Sequence, residues 1–152
     1  MNAIIDFRQP HRVTLAPRLF EVTDAWDCSW LYRDQTRQLS VPDGYRWDGA
    51  SIPRSAWSII GLTPSGEMDG PSLAHDSLYR SKGGRKVDAL HNCKITNENG
   101  NAVFISRSEA DWLIAATMKC AKVKPRKRIA VYVIVRIGGG IHWGGPMPYR
   151  NA

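Results

Sequence analysis

Apolar residues in the first third of the chain fall in short runs: Ala3 to Phe7, Val13 to Leu15, Leu19 to Val22, Trp30 to Tyr32, Leu39 to Val41 and Tyr45 to Trp47. Runs of this length between turn-forming residues have the size of strands and predict a small β-region. Pro10, Pro17 and Pro42 punctuate it, and Asp43-Gly44 predicts a hairpin turn because both residues tolerate positive φ. After Pro53 the period lengthens. Trp57 and Ile60, three apart behind Ser51 as a cap and Pro53 as a first-turn residue, predict a short helix over 54–60, followed by a loop over 61–70.

Pro71 to Arg80 reads as a helix with Leu73, Leu78 and Tyr79 as its apolar contacts, ending before Lys82-Gly83-Gly84. Cys93 to Asn97 and Asn101 to Ile105 flank Glu98-Asn99-Gly100, whose Asn-Gly pair predicts a β-wing. Ser106 or Ser108 can then cap a helix over Ala110 to Ala121, with Leu113, Ala116 and Cys120 at helical spacing. Ile129 to Val135 is an unbroken, β-branched apolar run that fits a strand or a buried helix equally, so residues 129–137 stay open between the two. The glycine-rich tail from Gly138 reads as an irregular cover. The pattern predicts an α+β fold: an N-terminal β-region, two central antiparallel helices bracketing a β-hairpin, and a C-terminal apolar helix or strand, all in one domain spanning 1–152.

Length and composition support that reading. The chain has 152 residues, 43% of them apolar and 23% charged, enough for one core without staples. No apolar run reaches the roughly 18 residues of a membrane span, and Met1 to Pro10 contains Asp6 and no apolar core, so a soluble protein made in the cytoplasm is expected. Cys28, Cys93 and Cys120 show no Cys-x-x-Cys spacing, which predicts reduced, buried thiols rather than disulfides or a zinc site. The formal net charge is +7, with six positives between Lys119 and Arg128. Such a block can meet nucleic acid or anionic lipid by counterion release. It also fits the cationic last turn of a helix stopped at Pro125, and no aromatic residue interleaves it, so specific nucleic-acid binding is not expected.

The candidate chemistry centres on His75-Asp76-Ser77-Leu78-Tyr79, which sets Tyr79 one helical turn beyond His75 and turns Asp76 to another side. Imidazole takes a proton from water near neutrality without large tuning. Asp111, on the later helix, can orient the His75 ring, and Tyr79 can hold Asp111 in place. Asp76 has the chemistry to hold a hard cation such as calcium. Asp48, before Gly49, fits a metal ligand, a helix cap or an Asx-turn. Ser77 lacks a Gly-x-Ser-x-Gly elbow, and no Walker or dinucleotide loop occurs. His91 and His142 are out of register for a metal phosphohydrolase.

A helix with His-Asp-x-x-Tyr, a hairpin, and a helix with Ala-Asp resembles the secreted phospholipase A₂ superfamily, especially its disulfide-free viral members, over about residues 48–119. That resemblance implies His75 as base, Asp76 as calcium ligand, Asp111 as partner of His75 and Tyr79 as its support. The cysteine framework and the glycine-rich calcium loop of the secreted enzymes are absent, with Asp48-Gly49-Ala50-Ser51-Ile52-Pro53 where that loop would stand. The chain more closely resembles a family of small uncharacterised proteins of tailed phages and prophages, through Trp47 to Arg54, Leu73 to Arg80 and Ser106 to Asp111. This implies synthesis in the host bacterial cytoplasm, with incorporation into the virion as one destination, and no established activity. Two functions are expected on these grounds. One is a hydrolase acting through His75 and Asp111 on an ester or similar bond in lipid or cell envelope. The other is a non-enzymatic virion or tail component, or a binder of a host factor, in which the same residues form a structural network.

Overall fold

The computed structural model describes residues 1–17, 19–48 and 66–144. Among them the strands are β1 (Ala3–Asp6), β2 (Arg12–Ala16), β3 (Leu19–Val22), β4 (Trp26–Tyr32), β5 (Gln35–Val41), β6 (Arg46–Trp47) and β7 (Lys94–Thr96). The helices are α1 (Asp69–Arg80), α2 (Arg107–Cys120) and α3 (Pro125–Gly138). The fold is α+β. All pairings are antiparallel, in a four-stranded sheet ordered β1-β4-β5-β7 and a three-stranded sheet ordered β2-β3-β6. The six N-terminal runs all become strands.

Alternation along β4 turns Trp26, Cys28 and Trp30 inward, and β5 adds Leu39 and Val41. These pack with Leu73, Leu78 and Tyr79 of α1 and Leu113 of α2 in the main core. A second cluster joins Met68 and Ile114 and Met118 of α2 to Val131 and Val135 of α3. Indole N–H groups fasten sheet to helix: Trp47 donates to Ser72 Oγ at 3.0 Å and Trp30 to Glu109 Oε1 at 2.8 Å. Helix α2 starts with a capping contact, Glu109 N–H donating to Ser106 Oγ. Helix α1 ends where the glycines predicted: Gly83 N–H donates to Leu78 O, and a Cβ on Gly83 at φ +66 would lie 1.8 Å from Ile105 O.

Several expectations change. Asp43-Gly44 is a turn, with Gly44 at φ +85, but not a hairpin: it carries the chain from β5 in one sheet to β6 in the other. A tight hairpin joins β4 to β5, turning through Arg33 and Asp34, both at positive φ, with Tyr32 paired to Gln35. In the predicted wing, the turn at Gly100 forms, but the outgoing arm is β7, a strand of the main sheet. The return arm is joined by a single bridge, Thr96 to Ala102. Of the predicted loop, Gly66–Met68 is a 3₁₀ turn and Asp69-Gly70 already belongs to α1. Residues 129–137 are helical, because Pro125 stands in the first turn of α3 and starts a helix instead of only stopping one. Lys119 does lie in the last turn of α2, but Arg126, Lys127 and Arg128 fall in the first turn of α3. Cys28 and Cys93 are buried thiols that burial pushes up to about 12, whereas Cys120 is exposed. The helix predicted over 54–60 lies outside the described residues.

Candidate functional site

Helix α1 is buried along its whole length, from Asp69 to Arg80, and the side chains on its two polar edges make separate networks. One edge carries His75 and Tyr79. Helix α2 runs antiparallel to it, so Asp111 lies beside His75 and Arg107, one turn earlier on α2, lies beside Tyr79. His75 Nε2 is 3.3 Å from Asp111 Oδ1, at the long end of hydrogen bonding. Tyr79 donates its hydroxyl to the same oxygen at 2.5 Å and accepts from Arg107 Nε at 3.2 Å. The other oxygen, Oδ2, accepts from Arg136 of α3 at 2.7 Å, with Arg107 Nε at 3.7 Å. The side chains of His75 and Asp111 are both 0% exposed. The His75 ring lies against that of Tyr79 with centroids 4.0 Å apart and planes tilted by 35°, and Trp143 is edge-on to Tyr79 at 5.1 Å. Gly139 allows this close approach of the tail, since a Cβ there would meet the Tyr79 hydroxyl at 2.6 Å.

The electrostatics fix the proton positions. Burial alone pushes the Asp111 carboxyl up, but hydrogen bonds from His75, Tyr79 and Arg136 outweigh it and leave the group below its ordinary value, hence ionised. Burial pushes His75 below its ordinary 6.5, against the opposing pull of Asp111, so the ring is neutral near pH 7. A carboxylate accepts, so Nε2 carries the hydrogen and the lone pair sits on Nδ1. Nδ1 is buried and has no hydrogen-bond partner among the described residues. Burial, then the hydrogen bond to Asp111, pushes the Tyr79 hydroxyl well up, so it remains a donor.

These shifts give the network a pH signature. As pH falls below about 6.5 the unfolded chain protonates its histidine before the folded chain protonates His75, so the folded state loses relative stability through that range. Asp111, depressed below its ordinary 3.8, protects stability above the carboxylate range and releases it only in stronger acid. We expect the melting temperature to fall between about pH 7 and pH 5.5, and to fall less in His75→Gln, which removes the titrating ring. Thermal melts of both proteins across that range check this. Equal slopes would remove His75 as the source.

The other edge of α1 carries Asp76 and Arg80. Asp76 Oδ2 is 3.2 Å from Arg80 Nη2, Arg80 lies over the Tyr45 ring at 5.4 Å, and its Nη1 donates to Arg46 O at 3.5 Å. Tyr45 in turn meets the ring of His91 at 6.3 Å. Asp48 is half-buried at the end of β6. Calcium takes six to eight oxygen ligands. Asp76 faces a guanidinium instead, and no three His, Cys, Asp or Glu side chains gather as a metal set among the described residues.

The structure therefore brings together His75, Tyr79 and Asp111, and holds Asp76 in a different network. Sequence reasoning missed Arg107 and Arg136. Arg107 had a local signal, since it stands four residues before Asp111 on the same helix. Arg136 had none, because its contact depends on how α3 packs across α2.

Residues 25–135 match the model of a family described as a protein of unknown function (DUF1353), and the chain belongs to this family. The matched span includes both central helices and ends one residue before Arg136. No curated protein and no solved structure matches the chain significantly. No described helix is long and apolar enough to cross a membrane.

Proposed function

We propose that this chain is a phage-encoded hydrolase in which His75 is the general base, acting on an ester or similar bond in lipid or cell envelope. The observation that carries the reading is the polarity of the dyad. Nε2–H is committed to an ionised, immobilised carboxylate, which leaves the lone pair on Nδ1 with no protein partner among the described residues. A buried polar atom left over in an otherwise saturated network asks for a role, because buried groups are normally paired. In the reaction, Nδ1 takes a proton from water as the water oxygen attacks the carbonyl carbon. The imidazolium then returns that proton to the departing alkoxide oxygen as the ester bond breaks. Asp111 stabilises the transient imidazolium, and Tyr79, Arg107 and Arg136 keep the carboxylate from turning. The phage origin and the substrate class rest on the resemblances of His75-Asp76-x-x-Tyr79 and the three linked segments.

The complete burial of the His75 side chain favours a second reading, a virion or host-factor-binding protein in which the network only specifies packing. One experiment separates them. Purified protein is incubated with phospholipid vesicles and with simple esters, with and without calcium, and released acid is titrated. The hydrolase reading expects product from the wild type, none from His75→Gln, and a similar melting temperature for both. Absence of product from the wild type, together with a melting temperature lowered by His75→Gln, identifies the network as structural.

A further inference from the structure

Helix α3 is apolar on two sides, and only one side faces the protein. Val131 and Val135 are buried against α2, with Ile134 packed beside them. On the opposite arc Ile129 is 65% exposed, Val133 45%, Tyr132 39% and Ile137 82%. Helical geometry puts these four on one continuous strip, with Arg126 at one end and Arg136 within it. An exposed aliphatic strip of two and a half turns is unusual on a protein surface unless something covers it.

The charge around the strip indicates what covers it. From Trp112 to Ala152 the sequence contains eight Lys or Arg and no Asp or Glu, so this stretch holds the entire positive excess of the chain. Lys119, Lys122, Lys124 and Arg126, at the N-terminal end of the strip, are all exposed. Three cations fill the first turn of α3, with no acidic residue in that turn, although that end of a helix is its positive pole; Lys127 reaches Glu67 at 4.0 Å and Arg128 donates to Val123 O, while Arg126 is exposed. Helix stability argues against this placement, and a polyanionic surface would justify it. Side chains with apolar tips on one arc, bordered by lysine and arginine, are the chemistry of a helix lying in the headgroup region of an anionic bilayer.

We propose that the outer face of α3 docks the protein on anionic lipid membranes, with Ile129, Val133 and Ile137 entering the acyl boundary and the basic residues around Lys122 to Arg126 meeting lipid phosphates. This does not rest on the hydrolase reading, since binding is measured without turnover. The same helix carries Arg136 to Asp111, so docking would bring the buried network to the lipid surface.

The test is co-sedimentation of the full chain with vesicles of phosphatidylcholine alone or with phosphatidylglycerol added. Binding is expected to the anionic vesicles, little to the neutral ones, and weakening as salt screens the attraction. The triple variant Ile129→Ser, Val133→Ser, Ile137→Ser touches only exposed side chains. It should keep the wild-type melting temperature and bind at least about tenfold more weakly. Arg126→Glu with Lys124→Glu should lower binding to anionic vesicles alone. Wild-type protein that ignores anionic vesicles overturns the proposal, as does a folded triple variant that binds them unchanged. A concentration-dependent dimer in sedimentation velocity that the triple variant abolishes would assign the strip to a second copy of the chain instead. Preferential binding of duplex DNA over vesicles, insensitive to the serine variants, would assign the cations to nucleic acid.

Discussion

Asp111→Ala will cost about 3 to 5 kcal/mol of folding stability, the range for removing one partner from a buried ionic cluster. The size follows from what remains rather than from what is lost. Asp111 accepts from Tyr79 and Arg136, faces Arg107, and receives the ring N–H of His75, all at a carboxylate with no exposed surface. Without it, two guanidinium groups confront each other across a space with no negative charge, and a phenol and an imidazole lose their acceptor. Chemical denaturation of the two proteins measures the difference. A loss below about 1 kcal/mol would mean that the cluster relaxes toward water when the carboxylate goes. Removing Arg107 and Asp111 together should then be milder than the sum of the separate changes, because the pair shares its partners.

Asp111→Asn tests chemistry in place of stability. Asparagine keeps one oxygen that can accept from Tyr79 or Arg136, so the fold should survive with a smaller loss. Its amide N–H₂, presented to His75, would favour the tautomer with hydrogen on Nδ1, and the lone pair needed to take a proton from water would turn away. If His75 is the general base, hydrolysis should fall by about three to four orders of magnitude while the substrate concentration for half-maximal rate changes little. A rate within about tenfold of the wild type would exclude Asp111 as the orienting residue. Nitrogen-15 chemical shifts of the His75 ring report the tautomer directly and move whether or not a substrate is known.

What could be read along the chain followed the range of the forces involved. The six strand runs of the first third were legible because each is a short apolar stretch closed off by turn residues, and on β4 the alternation of inward Trp26, Cys28 and Trp30 with outward neighbours reinforces it. Their partnering was not, since Asp43-Gly44 announces a turn without saying that the next strand joins another sheet. The β4–β5 hairpin turns through Arg33 and Asp34 with no glycine, so Asp34 was the one compositional sign of its positive φ values. The run over Ile129 to Val135 stayed ambiguous because β-branched residues suit a strand and a buried helix alike. Pro125 resolves it, through a fixed φ that suits a first helical turn. At the site, His75 and Tyr79 were legible from helical spacing, and Asp111 from the expectation that two antiparallel helices joined across a hairpin face each other. Arg136 was invisible, because a contact between two helices is set by packing across a third.

Helix α1 has one more consequence. With every residue from Asp69 to Arg80 buried, no stretch of it can fray toward water on its own. Its amide hydrogens can trade with solvent deuterium only when the molecule as a whole opens, so they should be the slowest to exchange in the chain. The exchange rate at Leu78 is then a thermometer for global unfolding read under native conditions, and it can rank variants of the dyad without heat or denaturant.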